Sequence, residues 1–156
     1  MDIKKVGAIV IVIVLIITLL LFIPFEKIYI EKSEPIRYMP GEKPIGLIEA
    51  YNYYIVLSYG NLLKQNQLRF FSQILKFNSS DYASSYFSEV IEEFEKHGFN
   101  VNLTYSNGIR KAVIIINQNG KESYSISILR ENKIFYVDGD KIKIEKIIKW
   151  LMNQKL

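Results

Sequence analysis

The chain contains no cysteine and only one histidine among its 156 residues. The absence of cysteine excludes disulfide bonds, thiol catalysis, cysteine-ligated zinc and iron–sulfur clusters. The lone histidine, His97, precedes Gly98 at the end of a predicted helix, where the helix dipole favours a cation, so we interpret it as structural. No catalytic, cofactor-binding or metal-binding motif stands out. We therefore predict no enzyme activity, no cofactor and no metal site.

A large excess of charge of either sign is also missing. The chain carries 20 Lys and Arg against 16 Asp and Glu, which gives a net charge of +4. So small an excess permits an anionic partner without requiring one. Because no basic patch alternates with aromatic residues on the predicted strands, no nucleic-acid partner is predicted.

What the chain does have is an uncharged stretch, Val6–Phe25, that follows a short basic tail at residues 1–5. At ~1.5 Å per residue, a helix of this length crosses the ~30 Å hydrocarbon core of a bilayer. Its only polar side chain, Thr18, can bond back to a helix carbonyl. A secretion signal has a shorter apolar run of about 7–15 residues and then a small-residue cleavage site, which is missing after Phe22. We therefore predict an uncleaved transmembrane anchor over residues 6–25, with the lipid bilayer as its partner.

The predicted localisation follows from this anchor. A short N-terminal tail is commonly retained in the cytoplasm, which leaves the large domain outside. We therefore predict a single-pass protein of the cell membrane with an extracytoplasmic C-terminal domain. Two glycosylation acceptor sequences, at Asn78 and Asn102, are compatible with that side of the membrane.

The segment after the anchor, residues 26–44, contains Pro35, Pro40 and Pro44 among alternating charges. Proline at this density disfavours helix and strand interiors and predicts an extended stalk. An alternative is that IYIEK within this segment forms an edge strand, because its apolar residues alternate with period two. The remaining residues, 45–156, are close to the usual size of one domain, and we predict a single domain there.

The domain begins with segments whose apolar residues recur at three- and four-residue steps, which predicts helices. After Gly98 the period changes to two, and Asn-Gly pairs mark turns, which predicts a four-stranded antiparallel meander. A helix with an isoleucine face follows at the C-terminal end. The predicted helices are Ile45 to about Leu63, 62–77 and Tyr82–Lys96, and the predicted strands are Phe99–Tyr105, Ala112–Ile116, Tyr124–Ile128 and Ile134–Val137.

The predicted fold class is therefore α+β. It consists of an N-terminal transmembrane helix, then about three helices, a four-stranded antiparallel meander and a C-terminal helix. One face of the sheet must be covered, and the helices carry the apolar stripes to cover it. This order of elements resembles that of the cystatin-like or NTF2-like group, which includes membrane-anchored assembly domains of secretion machines.

Tyrosine clusters in one predicted helix and at the start of another. Side chains on a helix are ~100° apart per residue, so these tyrosines cannot all face the same way and some must be exposed. Exposed tyrosines are enriched at interaction surfaces. The alternative is a tyrosine-rich core with its hydroxyls at the edge. The candidate interaction surface consists of Tyr51, Tyr53, Tyr54, Tyr59, Tyr82 and Tyr86.

These observations predict a membrane-anchored protein that presents a small non-enzymatic binding or assembly domain. Its predicted partners are other envelope or surface proteins, and it is free to form oligomers. A first alternative is a surface-filament or envelope subunit whose apolar helix packs in a multimer, since the basic tail before Gly7 resembles a prepilin-type leader. A second alternative is an anchored hydrolase that uses Glu89, Glu92 and His97.

Overall fold

The computed structural model describes residues 3–118 and 120–153. Within these residues the chain forms three helices and seven strands, and the strands make up one sheet. In chain order the elements are α1 (Ile3–Phe22), β1 (Phe25–Pro35), β2 (Leu47–Gly60), β3 (Gln65–Phe77), α2 (Ser80–Lys96), β4 (Asn100–Ser106), β5 (Ile109–Gln118), β6 (Lys121–Arg130), β7 (Lys133–Gly139) and α3 (Lys141–Asn153).

The uncharged N-terminal stretch forms α1, which ends at Phe22, shortly before Pro24. As predicted, the hydroxyl of Thr18 donates a hydrogen bond to a helix carbonyl, that of Val14, at 2.8 Å. A membrane span needs about 20 consecutive, mainly apolar residues. Among the residues that the structure describes, no helix meets the length and apolarity required of a span. This finding contradicts the predicted transmembrane anchor, the single-pass topology and the localisation in the cell membrane with an extracytoplasmic domain.

The region predicted as the first two helices forms the two longest strands, β2 and β3. β2 is rich in tyrosine, isoleucine and valine, whose aromatic or branched side chains lose rotamer freedom in a helix and pack well on a pleated sheet. The predicted α+β class, with three helices before a four-stranded meander, is therefore wrong. The described chain is mostly a β-sheet. The resemblance in element order to the cystatin-like or NTF2-like group depended on the first two predicted helices, and it does not hold because that region forms strands.

A tight turn joins β2 to β3 where the sequence had indicated the end of a helix. Gly60 has a φ of +140°, and a Cβ at this position would collide with the carbonyl oxygen of Lys64, so the turn requires glycine. The side-chain oxygen of Asn61 accepts hydrogen bonds from the backbone N–H groups of Leu63 and Lys64 at 3.0 and 2.9 Å. These bonds satisfy the turn's backbone donors and allow the chain to reverse.

The sheet has the strand order β1-β2-β3-β7-β6-β5-β4. The strands β4 to β7 are successive antiparallel neighbours, and each of them overlaps the strand that the sequence predicted there. β3 joins this meander by antiparallel pairing with β7, in which Leu75 lies opposite Ile134. β1 lies at one edge of the sheet, as the edge-strand alternative for IYIEK proposes, so the first part of the predicted stalk is a strand.

The chain divides into two compact units. The smaller unit comprises Met1–Tyr29 and Val56–Leu68, and within it the side-chain amide of Gln67 donates to the hydroxyl of Tyr29 at 3.5 Å. The larger unit comprises Ile30–Ile55 and Arg69–Leu156 and contains α2, α3 and the meander. The single domain over residues 45–156 stays a prediction.

Helix α2 covers one face of the sheet in the larger unit. It begins after Ser79, whose Oγ accepts a hydrogen bond from the backbone N–H of Tyr82 at 3.3 Å, which is a typical N-cap. Its buried residues pack into one apolar cluster with residues of the strands. The members of this cluster are Leu47, Ala50, Leu75, Phe77, Ala83, Phe87, Ile91, Ala112, Leu129 and Ile134.

Helix α3 covers the opposite face. Ile128 and Phe135 are cross-strand neighbours, as are Leu129 and Ile134. Because successive side chains of a strand point to opposite faces, the first pair points away from the cluster that contains the second. Both pairs are buried, and α3 contacts the two strands that carry them. The buried residues of α3 are Ile144, Ile147, Ile148 and Leu151.

Substitution of Phe77 by alanine tests this packing. Phe77 is fully buried, and its ring centroid lies 5.4 Å from that of Tyr86. Removing the ring leaves a cavity, so we expect the free energy of unfolding to fall by about 3–5 kcal/mol. Phe71→Ala is the control, because that ring is 40% exposed, and we expect a loss of about 1 kcal/mol. Denaturant unfolding of the full chain in a mild non-ionic detergent measures both, and equal losses would contradict the assigned core.

Candidate functional site: a groove lined by tyrosines

The six tyrosines of the candidate surface do not share one site. Tyr53 is 2% exposed, and its neighbour Tyr54 points to the opposite face of β2, where its ring contacts that of Phe71 edge-on with centroids 6.0 Å apart. Tyr51 is partly exposed on the same strand, and Tyr59 belongs to the smaller unit. The structure brings together only the two tyrosines of α2, Tyr82 and Tyr86, at one cavity.

That cavity lies between α2 and the segment 36–46, which connects β1 to β2, and it has a volume of about 370 Å³. Three tyrosines line it, one of them from the connecting segment. Two glutamates and one lysine also line it. We call it the tyrosine groove, and define it by Tyr38, Tyr82, Tyr86, Glu42, Glu89 and Lys43.

Backbone contacts fix the connecting segment against α2. Gly46 has a φ of +74°, and an added Cβ would lie 2.6 Å from Cγ of Tyr82, so the tyrosine ring rests directly on the glycine backbone. The carbonyl of Gly46 accepts a hydrogen bond from the backbone N–H of Asn78 at 2.8 Å. At the other end of the segment, the N–H of Ile36 donates to the carbonyl of Ala50 at 2.8 Å. The contacts of Gly46 with Asn78 and Tyr82 therefore hold this wall of the groove against the start of α2.

Behind the groove, a third phenol lies close to those of Tyr38 and Tyr86. Burial raises the pKa of Tyr136, and the nearby phenols of Tyr86 and Tyr38 raise it further. The Tyr136 hydroxyl is buried and makes no hydrogen bond within the described residues. The same holds for Ser127, which lies directly opposite Tyr136 on β6. The interior next to the groove therefore contains polar oxygens whose hydrogen-bonding capacity is not used by the described chain.

The charges at the groove favour a cation. Burial raises the pKa values of Tyr38 and Tyr86, and for Tyr86 the carboxylate of Glu89 adds to the effect. The phenols of Tyr38 and Tyr86 therefore stay protonated at neutral pH and offer aromatic faces and hydroxyl oxygens instead of phenolate. Glu42 and Glu89 together carry two negative charges, of which Lys43 offsets one. Aromatic faces beside carboxylates are a typical environment for an organic cation.

The residues of the hydrolase alternative line three different cavities. Glu89 lines the tyrosine groove, Glu92 lines a cavity with Arg110, and His97 lines a third cavity with Phe99. The Nδ1 atom of His97 lies 2.8 Å from the backbone oxygen of Glu93, one turn earlier in the same helix. Among the described residues there is no group of three or more acidic or histidine side chains that could hold a metal ion.

Sequence reasoning missed two members of this arrangement. Tyr38 lies in the predicted stalk, and Tyr136 is one of the two aromatic residues of the predicted strand Ile134–Val137. Because side chains alternate along β7, Tyr136 points to the face of the sheet opposite to that of Phe135. This alternation could have indicated the face on which Tyr136 lies, but not the residues that lie near it. The proximity of these phenols to Tyr86 depends on strand pairings between distant parts of the chain.

No family model matches the chain, and neither a curated protein nor a solved structure is detectably similar to it.

Replacing Tyr136 by phenylalanine tests the buried phenol. The variant removes a hydroxyl that is desolvated without a partner, so we expect the free energy of unfolding to rise by about 0.5–1 kcal/mol at pH 7. The expected pH dependence has a definite sign. Tyrosine in the unfolded chain ionises near pH 10, while folded Tyr136 stays protonated, so the native protein should lose stability as the pH rises above about 10.

The loss attributable to one such tyrosine is up to about 1.4 kcal/mol per pH unit. Tyr136→Phe should reduce the slope by that amount, whereas Tyr105→Phe, at a residue that is 72% exposed, should leave it unchanged. Urea unfolding of the full chain in detergent between pH 8 and 11 measures both slopes. An unchanged slope in Tyr136→Phe would show that the phenol is hydrated.

Proposed function

We propose that the chain is a non-enzymatic binding domain that recognises a cationic side chain of a partner protein in the tyrosine groove. The observation that supports this proposal is the convergence of three tyrosines and two glutamates on one cavity. A cation over an aromatic face gains about 0.5–2 kcal/mol, more as it is desolvated. A carboxylate at the rim adds a direct charge interaction. Because Lys43 offsets one of the two carboxylates, the groove suits a single positive charge better than a polycation.

The surroundings of the groove favour a protein segment as the source of this cation. Tyr38 also lines a second cavity of about 360 Å³, to which Met39, Pro40 and Ile48 contribute. Met39, Ile45 and Ile48 are exposed. A peptide with a lysine or arginine near an apolar residue would fill the groove with its cation and the second cavity with its apolar side chain. Such adjacent apolar and charged positions are typical of protein–protein recognition sites.

A peptide titration tests the proposal. The probe is a short acetylated peptide with one lysine and one leucine, added to the full chain in a non-ionic detergent, with binding followed by NMR shifts of labelled tyrosines. We expect shifts at Tyr38, Tyr82 and Tyr86, and we expect Tyr82→Ala and Glu89→Gln each to weaken binding about fivefold. Glu145→Gln, an exposed change on α3, is the control and should have no effect.

A second peptide, with norleucine in place of lysine, keeps the four carbons of the side chain and removes its ammonium group. We expect it to bind at least fivefold more weakly than the lysine peptide. Equal binding of the two peptides, or equal binding by wild type and Tyr82→Ala, would overturn the proposal that the groove recognises a cation.

A second candidate function is favoured by α1, in which every described side chain from Ile9 to Leu20 is exposed. A helix that is apolar on all sides is normally buried among neighbours. We assign these neighbours to other copies of the same chain, which makes the protein a subunit of a multimer packed through α1. Identical copies supply the same apolar surface on every side without requiring a different partner.

Sedimentation equilibrium in density-matched detergent measures this assembly. The full chain should sediment as a multimer, and Ile13→Glu should lower its mass because a buried unpaired carboxylate is costly. Glu145→Gln should keep the wild-type mass. A mass that is unchanged by Ile13→Glu would exclude packing through α1.

A further inference from the structure

The strand β4 lies at the edge of the sheet opposite to β1. In the described part of the chain its sheet partner is β5, along a register that runs from Asn100 opposite Ile115 to Ser106 opposite Ile109. An edge strand carries a row of backbone N–H and C=O groups that are free to pair with another strand. β4 therefore presents a template for strand addition.

Edge strands are usually protected by lysine, proline or a bulge. The sequence of β4, NVNLTYS, contains no charged residue and no proline, and it pairs with β5 in continuous register. Two of its apolar side chains are exposed, Leu103 by 52% and Tyr105 by 72%. The strand thus has none of these sequence features that prevent pairing between edges.

The sequence of β4 is also symmetric in polarity about Leu103. If β4 pairs antiparallel with β4 of a second copy and the two Leu103 residues lie opposite each other, Val101 faces Tyr105 and Asn102 faces Thr104. Apolar residues then meet apolar residues on one face of the extended sheet, and polar residues meet polar residues on the other. Pairs of aromatic and β-branched residues in such cross-strand positions are favourable. An arbitrary partner sequence would not need this symmetry, whereas pairing of identical strands about a two-fold axis does.

The apolar face of this arrangement is the face covered by α2. Leu103 lies opposite Ala112, a member of the cluster under α2, and Val101 packs against that cluster. The ring of Tyr105 from the second copy would lie beside Val101 and lose its exposure. Leu103 also lines a cavity of about 370 Å³ with Phe87 and Ile91 of α2, which leaves room at this edge for added side chains.

We propose that the chain forms a two-fold symmetric dimer by antiparallel pairing of β4 with β4 of a second copy, centred on Leu103. This interface is separate from the tyrosine groove and does not depend on the function proposed for it. It is also separate from packing through α1, and the test must distinguish the two.

Cross-linking through single introduced cysteines distinguishes pairing through β4 from packing through α1. The chain has no cysteine of its own, so each disulfide reports on the introduced position. Directly opposed residues in an antiparallel pair have Cα atoms about 4.5–5.5 Å apart, within the ~4.4–6.8 Å range of disulfides. On mild oxidation of the full chain in detergent, we expect Leu103→Cys to form a covalent dimer. Tyr105→Cys alone should remain uncross-linked, because its partner position is Val101. A mixture of Val101→Cys and Tyr105→Cys chains should form the mixed dimer.

Equal cross-linking of Leu103→Cys and Tyr105→Cys would indicate association without this register, such as packing through α1, and would overturn the proposal. A second variant does not rely on disulfide geometry. Leu103→Lys places two lysines opposite each other at the symmetry axis, so we expect it to weaken the dimer at least tenfold in sedimentation equilibrium. Asn117→Lys, an exposed change on β5, should leave the dimer intact. Unchanged self-association in Leu103→Lys would show that β4 is not the dimer interface and would also overturn the proposal.

Discussion

The packing of α2 on the sheet is the contact on which the rest of the larger unit depends. Its buried residues, Ala83, Phe87 and Ile91, follow one another at four-residue steps and face the strands. Tyr82 and Tyr86 precede the first two by one position, so the same helix rotation that buries the apolar stripe turns the tyrosines to one side. On that side lies the segment 36–46, and the tyrosine groove is the space between them.

The same layer explains why one edge of the sheet is left open. A helix about 10 Å in diameter covers two or three strands spaced ~4.8 Å apart. α2 contacts β4, β6 and β7, yet most side chains of β4 are exposed. The helix therefore covers parts of β6 and β7, whereas β4, the outermost strand of the meander, stays largely exposed. The groove and the exposed edge strand both result from covering one face of a broad sheet with a single helix, α2.

The sequence predicted elements correctly where local signals decide the structure. The cap at Ser79 and Gly98 bound a helix, and Asn107-Gly108, both with positive φ, form the turn between β4 and β5. The helix predicted in the region of β2 is wrong because all four residues of Ile55–Ser58 are buried. In this stretch the buried residues do not alternate with exposed ones, as they do in a half-buried strand. The remaining apolar residues recur at spacings that are also typical of a helix. The sequence included Tyr82 and Tyr86 in the candidate surface, and the structure shows both of them at the groove. Tyr38 and Tyr136 were not predicted, because only contacts between distant parts of the chain bring them near Tyr86.

The buried phenols bear on the chemistry of the groove. An unpartnered buried hydroxyl costs stability, and phenylalanine would avoid that cost. The chain uses phenylalanine elsewhere in its core, as at Phe70 and Phe77, so an aromatic side chain alone does not account for a tyrosine at position 136. A desolvated ammonium or guanidinium group needs oxygen acceptors for its N–H donors. In the proposed site, phenol oxygens near the groove would supply such acceptors, while the rings would supply the faces for the cation. Under this proposal, the polar interior behind the groove is the feature that would distinguish the groove from a purely apolar cleft.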